Sequence, residues 1–121
     1  MTSEKPKAQD PTSEVNIDAM KNLVRILHAR EEQVKLGGGA KAIEKHHSRG
    51  KMTARERIEE LLDTGSPFLE IGLFTAWDMY EEYGGAPSSG TVFGIGRVKG
   101  RDCVIVANDA TVKAGAWFPL T

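Results

Sequence analysis

The chain has 121 residues, enough for one small domain with a single core, and 40% of them are hydrophobic, an ordinary share for a globular protein. Lysine and arginine number 16 against 17 aspartates and glutamates, so the formal net charge of -1 points to no nucleic-acid or membrane partner. A lone cysteine, Cys103, excludes an internal disulfide and a cysteine-rich zinc site, and a reduced intracellular setting is expected, cytoplasmic or else the mitochondrial matrix.

The opening MTSEKPKAQDPTSE has no apolar core for a secretory signal and is too acidic for a transit peptide. Met1 to Glu14 is expected to be disordered. A helix is expected from Asn16 or Asp18, either of which can cap it, with Met20, Leu23, Val24, Leu27 and Val34 on its apolar face. Arg25, Arg30, Glu31, Glu32 and Lys35 form the solvated side, and Gly37-Gly38-Gly39 ends it. Ala40 to His47 resumes as a short helix, which Arg49-Gly50-Lys51 breaks. Thr53-Ala54-Arg55-Glu56 has the spacing of a capping box, predicting a third helix with Ala54, Ile58, Leu61 and Leu62 inward and a stop at Gly65.

After Pro67 the character changes. Phe68 to Ile71 reads as extended, and Leu73 to Tyr83 takes no firm assignment. Gly84 to Gly90 reads as a loop. Thr91 to Val98 and Cys103 to Ala107 read as strands of a hairpin turning over Lys99 to Asp102, and Asn108 to Thr111 leaves the sheet as a loop. The chain stops on the apolar Trp117-Phe118-Pro119-Leu120-Thr121, which is expected of a portion of a longer protein.

Several motifs have a plain reading beside a chemical one. Gly94-Ile95-Gly96 fails as a dinucleotide fingerprint, because Lys99 stands where the third glycine belongs and no helix follows; strand glycines packed against another backbone are expected. Ala19-Met20-Lys21 is similar to a biotin-attachment tripeptide but lies in an amphipathic helix, not a tight hairpin, so that reading is rejected. His46 and His47 point about 100° apart on a helix and have no ligand at metal spacing, so they read as solvated surface and no metal is expected. Lys41, Lys45, Arg49, Lys51, Arg55 and Arg57 form a basic cluster interleaved with Glu44, Glu56, Glu59 and Glu60. It is either a salt-bridged helical face or a surface for a phosphorylated ligand. Asn108 to Gly115 places polar groups at a strand end, as a ligand loop or as an Asx-type turn. No nucleophile has a paired base.

Two blocks carry a resemblance. Leu36-Gly37-Gly38-Gly39, Ile43-Glu44-Lys45, Arg49 through Ile58 and Leu61-Leu62-Asp63 resemble the N-terminal signature of carboxyltransferase (β) subunits of biotin-dependent acyl-CoA carboxylases. Gly94 to Val98 with Val106 to Lys113 looks like the methylcrotonoyl-CoA branch rather than the propionyl-CoA branch. The likeness runs from about Met20 to Thr121. It implies an α/β, crotonase-like fold, a superhelix of β-β-α units, here with a helical N-terminus followed by antiparallel strands. The implied organisation is a tail over 1–15, a helical segment over 16–65 and the incomplete start of a carboxyltransferase domain over 66–121.

The resemblance further implies carboxyl transfer to an acyl-CoA from carboxybiotin borne by a biotin carboxylase or biotin carrier partner subunit. No cofactor bound covalently to this chain is implied, and the full-length protein is expected to be a homo-oligomer. The oxyanion loops of the family lie beyond Thr121, so no catalytic residue carries over and the chain alone is expected to be inactive. Asn108, Asp109, Thr111, Lys113 and Gly115 match the segment leading into the acyl-CoA site and are the implied CoA contacts. Arg49, Lys51 and Arg55 are the candidate phosphate-facing cluster. One departure is Ala114-Gly115 where the family has Gly-Gly. The rival readings are a biotin-dependent acyl-CoA decarboxylase subunit and a non-catalytic assembly module.

Overall fold

Two strands and a two-residue turn organise the larger part of the molecule, which the computed structural model describes over residues 11–117. Strand β2 (Thr91–Val98) pairs antiparallel with β3 (Arg101–Asn108), with Val98 opposite Arg101. The turn is Lys99-Gly100 alone, both with positive φ (49° and 75°). That conformation matches the right-handed twist of the flanking strands. The expected turn over Lys99 to Asp102 is therefore two residues shorter: Arg101 and Asp102 belong to β3, opposite Val98 and Arg97. Asp63 holds the turn from outside. Its Oδ1 accepts from Lys99 N at 2.6 Å and its Oδ2 from Gly100 N at 2.7 Å.

The short β1 (Phe68–Glu70) completes a sheet of order β1-β2-β3, with Leu69 opposite Ile95. The glycines of β2 exist for this packing. A Cβ on Gly94 would lie 2.4 Å from Leu69 O and 2.5 Å from the Phe68 ring, and one on Gly96 would lie 2.2 Å from Leu62 Cδ2. Close backbone approach thus accounts for Gly-Ile-Gly.

Helices α1 (Pro11–Lys35), α2 (Ala40–His47) and α3 (Ala54–Leu61) precede the sheet. Ala54 and Ile58 of α3 are buried against Val92 and Ile105, with Leu62, Phe68, Val98, Cys103 and Ala107 around them. Leu61, expected inward, is half exposed: it shares the face of Ala54 and Ile58, but as the last residue of α3 it stands at the wall of an open groove beside Ile58 and Ile105. Between β1 and β2 the chain turns through short 3-10 pieces at Glu81–Tyr83 and Pro87–Gly90, and Phe74 meets Trp77 edge-on at 5.7 Å.

The chain forms two compact units, Met1–Arg30 and Glu31–Thr121. In the first, α1 starts at Pro11 rather than at Asn16 or Asp18, so Pro11 to Glu14 are helical and not disordered as expected. Proline suits a first helical turn, where its missing N–H costs nothing, and Glu14 complements the helix dipole there. Met1 to Asp10 lie outside the described residues. Met20, Leu23, Val24 and Leu27 of the expected apolar face are exposed, whereas Val34, in the second unit, is buried.

Candidate functional site

The loop after β3 is built against the triple glycine. Gly37 (φ 54°) and Gly39 (φ 92°) turn the chain out of α1, and Gly37 N donates to Val34 O at 2.9 Å. Gly38 N donates to Thr111 Oγ1 at 3.0 Å. A Cβ on Gly37 would lie 2.4 Å from Asp109 Oδ2, and one on Gly38 would lie 1.9 Å from Thr111 O. The glycines therefore do more than stop a helix: Gly37 leaves room for the Asp109 and Thr111 side chains, and Gly38 lets two backbones touch.

Asp109 is buried and folds its own loop. Its Oδ1 accepts from Thr111 N at 2.9 Å and from Thr111 Oγ1 at 2.6 Å, and Asp109 N donates to Gly90 O at 2.9 Å. This is the Asx-type turn. Val112 is buried behind it. Lys113 Nζ donates to Tyr83 O, and Lys113, Ala114 and Gly115 all take positive φ. Asn108 is exposed, and its Oδ1 accepts from Trp117 Nε1 at 3.1 Å. The five implied CoA contacts thus fall on one loop. Asp109 and Thr111 shape it from within, Lys113 and Gly115 turn it, and Asn108 faces outward.

The basic cluster is divided by helix geometry. Arg55 and Arg57 are two residues apart, about 200° around α3. Arg55 points to β1, where Nη1 donates to Glu70 Oε2 at 2.7 Å and Nη2 to Glu70 Oε1 at 2.8 Å. The pair is largely covered, and its charge is spent on a carboxylate rather than facing a ligand. Arg57 takes the opposite side. With His46, Lys51, Asn108 and Ala110 it lines a cavity of about 460 Å³. Arg49 is exposed and does not line it. Sequence spacing carried a signal for this division, since only one of two arginines at i and i+2 can share a face with Lys51.

The turn that carries Lys51 is held by the two histidines, which are not merely solvated surface. His46 Nε2 bonds Met52 O at 3.0 Å, and His47 Nε2 lies 2.8 and 2.9 Å from the two Glu56 oxygens. Glu56 completes the capping box: Thr53 N donates to its Oε2 at 2.7 Å, and Glu56 N donates to Thr53 Oγ1 at 3.3 Å. The Thr53 N–H, then His47, hold the Glu56 carboxyl below its ordinary 4.5. A depressed carboxylate stabilises the fold above its unfolded pKa, and that stabilisation is lost as pH falls through the folded value. Thermal melts of the parent and Glu56→Gln are thus expected to differ at pH 6 and to converge below about pH 4.5. A gap that stays constant down to about pH 3 would contradict the charged cap.

Residues 45–121 match the family described as "Carboxyl transferase domain". The chain is 52% identical over 106 residues to the probable methylcrotonoyl-CoA carboxylase beta chain, mitochondrial, of Drosophila melanogaster, covering 88% of this chain and 18% of that one. It is 49% identical over 104 residues to the biotin-dependent 3-methylcrotonyl-coenzyme A carboxylase beta1 subunit of Mycobacterium tuberculosis, covering 86% and 19%. Among solved structures, the transcarboxylase 12S hexamer with methylmalonyl-coenzyme A bound superposes with a TM-score of 0.73 at 36% identity, covering 80% and 19%. The chain spans about a fifth of the length of these relatives.

Proposed function

Because the chain belongs to the carboxyl transferase domain family, with the expected α/β crotonase-like fold, we propose that it is the N-terminal portion of a carboxyltransferase β subunit of a biotin-dependent acyl-CoA carboxylase. The whole enzyme moves a carboxyl group from carboxybiotin, carried on a partner subunit, to an acyl-CoA of the methylcrotonoyl type. Identity near 50% to two methylcrotonoyl relatives is the observation that carries this reading over the decarboxylase one. The full-length protein assembles as a homo-oligomer and works in the compartment of its source, the mitochondrial matrix or a bacterial cytoplasm.

Within that enzyme this portion contributes to CoA binding. The cavity between α3 and the loop after β3 sets Lys51, Arg57 and His46 beside Asn108. Two side-chain cations at one mouth suit the phosphates of CoA, and the Asn108 amide can donate or accept. Asp109, Thr111, Lys113 and Gly115 keep the loop at that mouth. Arg49, exposed on the same turn, adds to the field, whereas Arg55 serves the fold through Glu70.

Titration of CoA into the chain, followed by amide shifts, tests the assignment. Binding is expected to move Lys51, Arg57 and Asn108 and to weaken at least ~tenfold in Lys51→Glu/Arg57→Glu, since two phosphate partners are reversed. Lys41→Glu, off the cavity, is expected to leave it unchanged. Equal affinity in the double reversal, with the fold intact, would remove these residues from the site.

A further inference from the structure

The cavity between α3 and the loop after β3 has a third side chain able to carry positive charge. His46 is half-buried in its wall, beside Lys51 and Met52 of the turn and Arg57 of α3. The turn is wrapped around this one residue. The His46 carbonyl accepts from Arg49 N at 3.2 Å and from Lys51 N at 3.3 Å, while its ring Nε2 lies 3.0 Å from Met52 O. A carbonyl only accepts, so Nε2 carries the hydrogen of that bond. In the neutral ring Nδ1 is then bare, and among the described residues it has no hydrogen-bond partner. A second proton goes to Nδ1, giving the ring a full charge and leaving the bond to Met52 intact.

The charges around His46 make that proton depend on what the cavity holds. Lys51 and Arg57 share the cavity, and among the described residues that line it there is no carboxylate. On its own helix Lys45 and His47 flank it, and Glu44 is two positions away, about 200° around. Glu56 of α3 is engaged by His47 and by Thr53 N, and Asp109 of the loop after β3 by Thr111. Two cations alone oppose a proton on Nδ1, and a phosphate placed among them reverses that field. On the reading that this cavity takes the phosphates of CoA, we propose that His46 is its third phosphate-binding group, engaging the ligand as the imidazolium, so that CoA binds together with a proton. The contribution of His46 to affinity is present at low pH. It is lost as pH rises through the range of about 5 to 8 in which histidine changes charge. His47 differs, because its ring is already paired with both Glu56 oxygens.

Calorimetric titration of CoA into the parent chain and into His46→Gln, at about pH 5.5 and about pH 8, tests this. Glutamine keeps an N–H donor for Met52 O but cannot take the charge. The ligand's own protonation is common to both proteins, so the ratio of their affinities isolates His46. The parent is expected to bind at least ~threefold tighter than the variant at the lower pH and equally at the higher. A ratio that is the same at both pH values overturns the proposal. A second measurement needs no variant and decides alone if His46→Gln does not fold. Between about pH 6 and pH 8, the His46 ring resonances of the parent are expected to move toward the imidazolium position when CoA is added. No movement, or movement toward the neutral ring, overturns the proposal as well. Either failure leaves the cavity assignment standing when the Lys51, Arg57 and Asn108 amides still shift with CoA. Absence of those amide shifts rejects the assignment and the proposal together.

Discussion

Gly38→Ala is expected to cost the Glu31–Thr121 unit more than about 3 kcal/mol, enough to unfold a small domain. The reason is space, not backbone freedom. The new Cβ would stand 1.9 Å from Thr111 O and 2.7 Å from Thr111 C, both backbone atoms. Neither can turn aside as a flexible side chain could, so the loop after β3 must move. That movement breaks the bond from Gly38 N to Thr111 Oγ1 and disturbs the Asp109 turn. Gly39→Ala is the contrast: no atom lies within 4 Å of its Cβ, and only its φ of 92° is strained. A cost of roughly 1–2 kcal/mol is expected there. Urea unfolding followed by circular dichroism separates the two, and equal midpoints would mean that the glycine turn does not pack on Thr111.

Glu70→Ala is expected to cost about 3 kcal/mol, because it strands a guanidinium in a mostly covered place. Arg55 and Glu70 side chains are 25% and 13% exposed and bonded through both nitrogens and both oxygens. Arg55 Nε is buried without a hydrogen-bond partner, so losing Glu70 leaves the guanidinium without either of its bonds to that carboxylate and with Nε still unsatisfied. Arg55→Met/Glu70→Leu replaces both charges by apolar groups of similar volume and is expected to recover most of the loss. A double-mutant cycle in denaturant reads the coupling directly. Additive single costs would show that the pair contributes no mutual stability and would free Arg55 for the phosphate role that its spacing first suggested.

Local features were legible in the amino-acid order. The capping box of Thr53 and Glu56 closes over three residues, so its spacing alone predicts both bonds. The hairpin was legible because β-branched runs flank Lys99-Gly100, though its turn proved tighter than drawn. The two sequence blocks identify the family by themselves, because they are ordered motifs of fixed spacing. Amphipathic spacing shows that α1 has an apolar face that it cannot bury alone, and says nothing of what covers that face.

By itself, then, the sequence determined the helices, the strand pair and the carboxyltransferase kinship, all of which rest on residues near one another or on ordered motifs. Tertiary structure alone decided what the charged and glycine residues do. Gly38 meets Thr111 across 73 positions, and Arg55 meets Glu70 across 15. Such contacts depend on where helix phase and strand register carry each side chain. A basic cluster that is continuous in sequence is therefore split in space: Arg55 goes to the fold, while Lys51 and Arg57 remain at the cavity mouth.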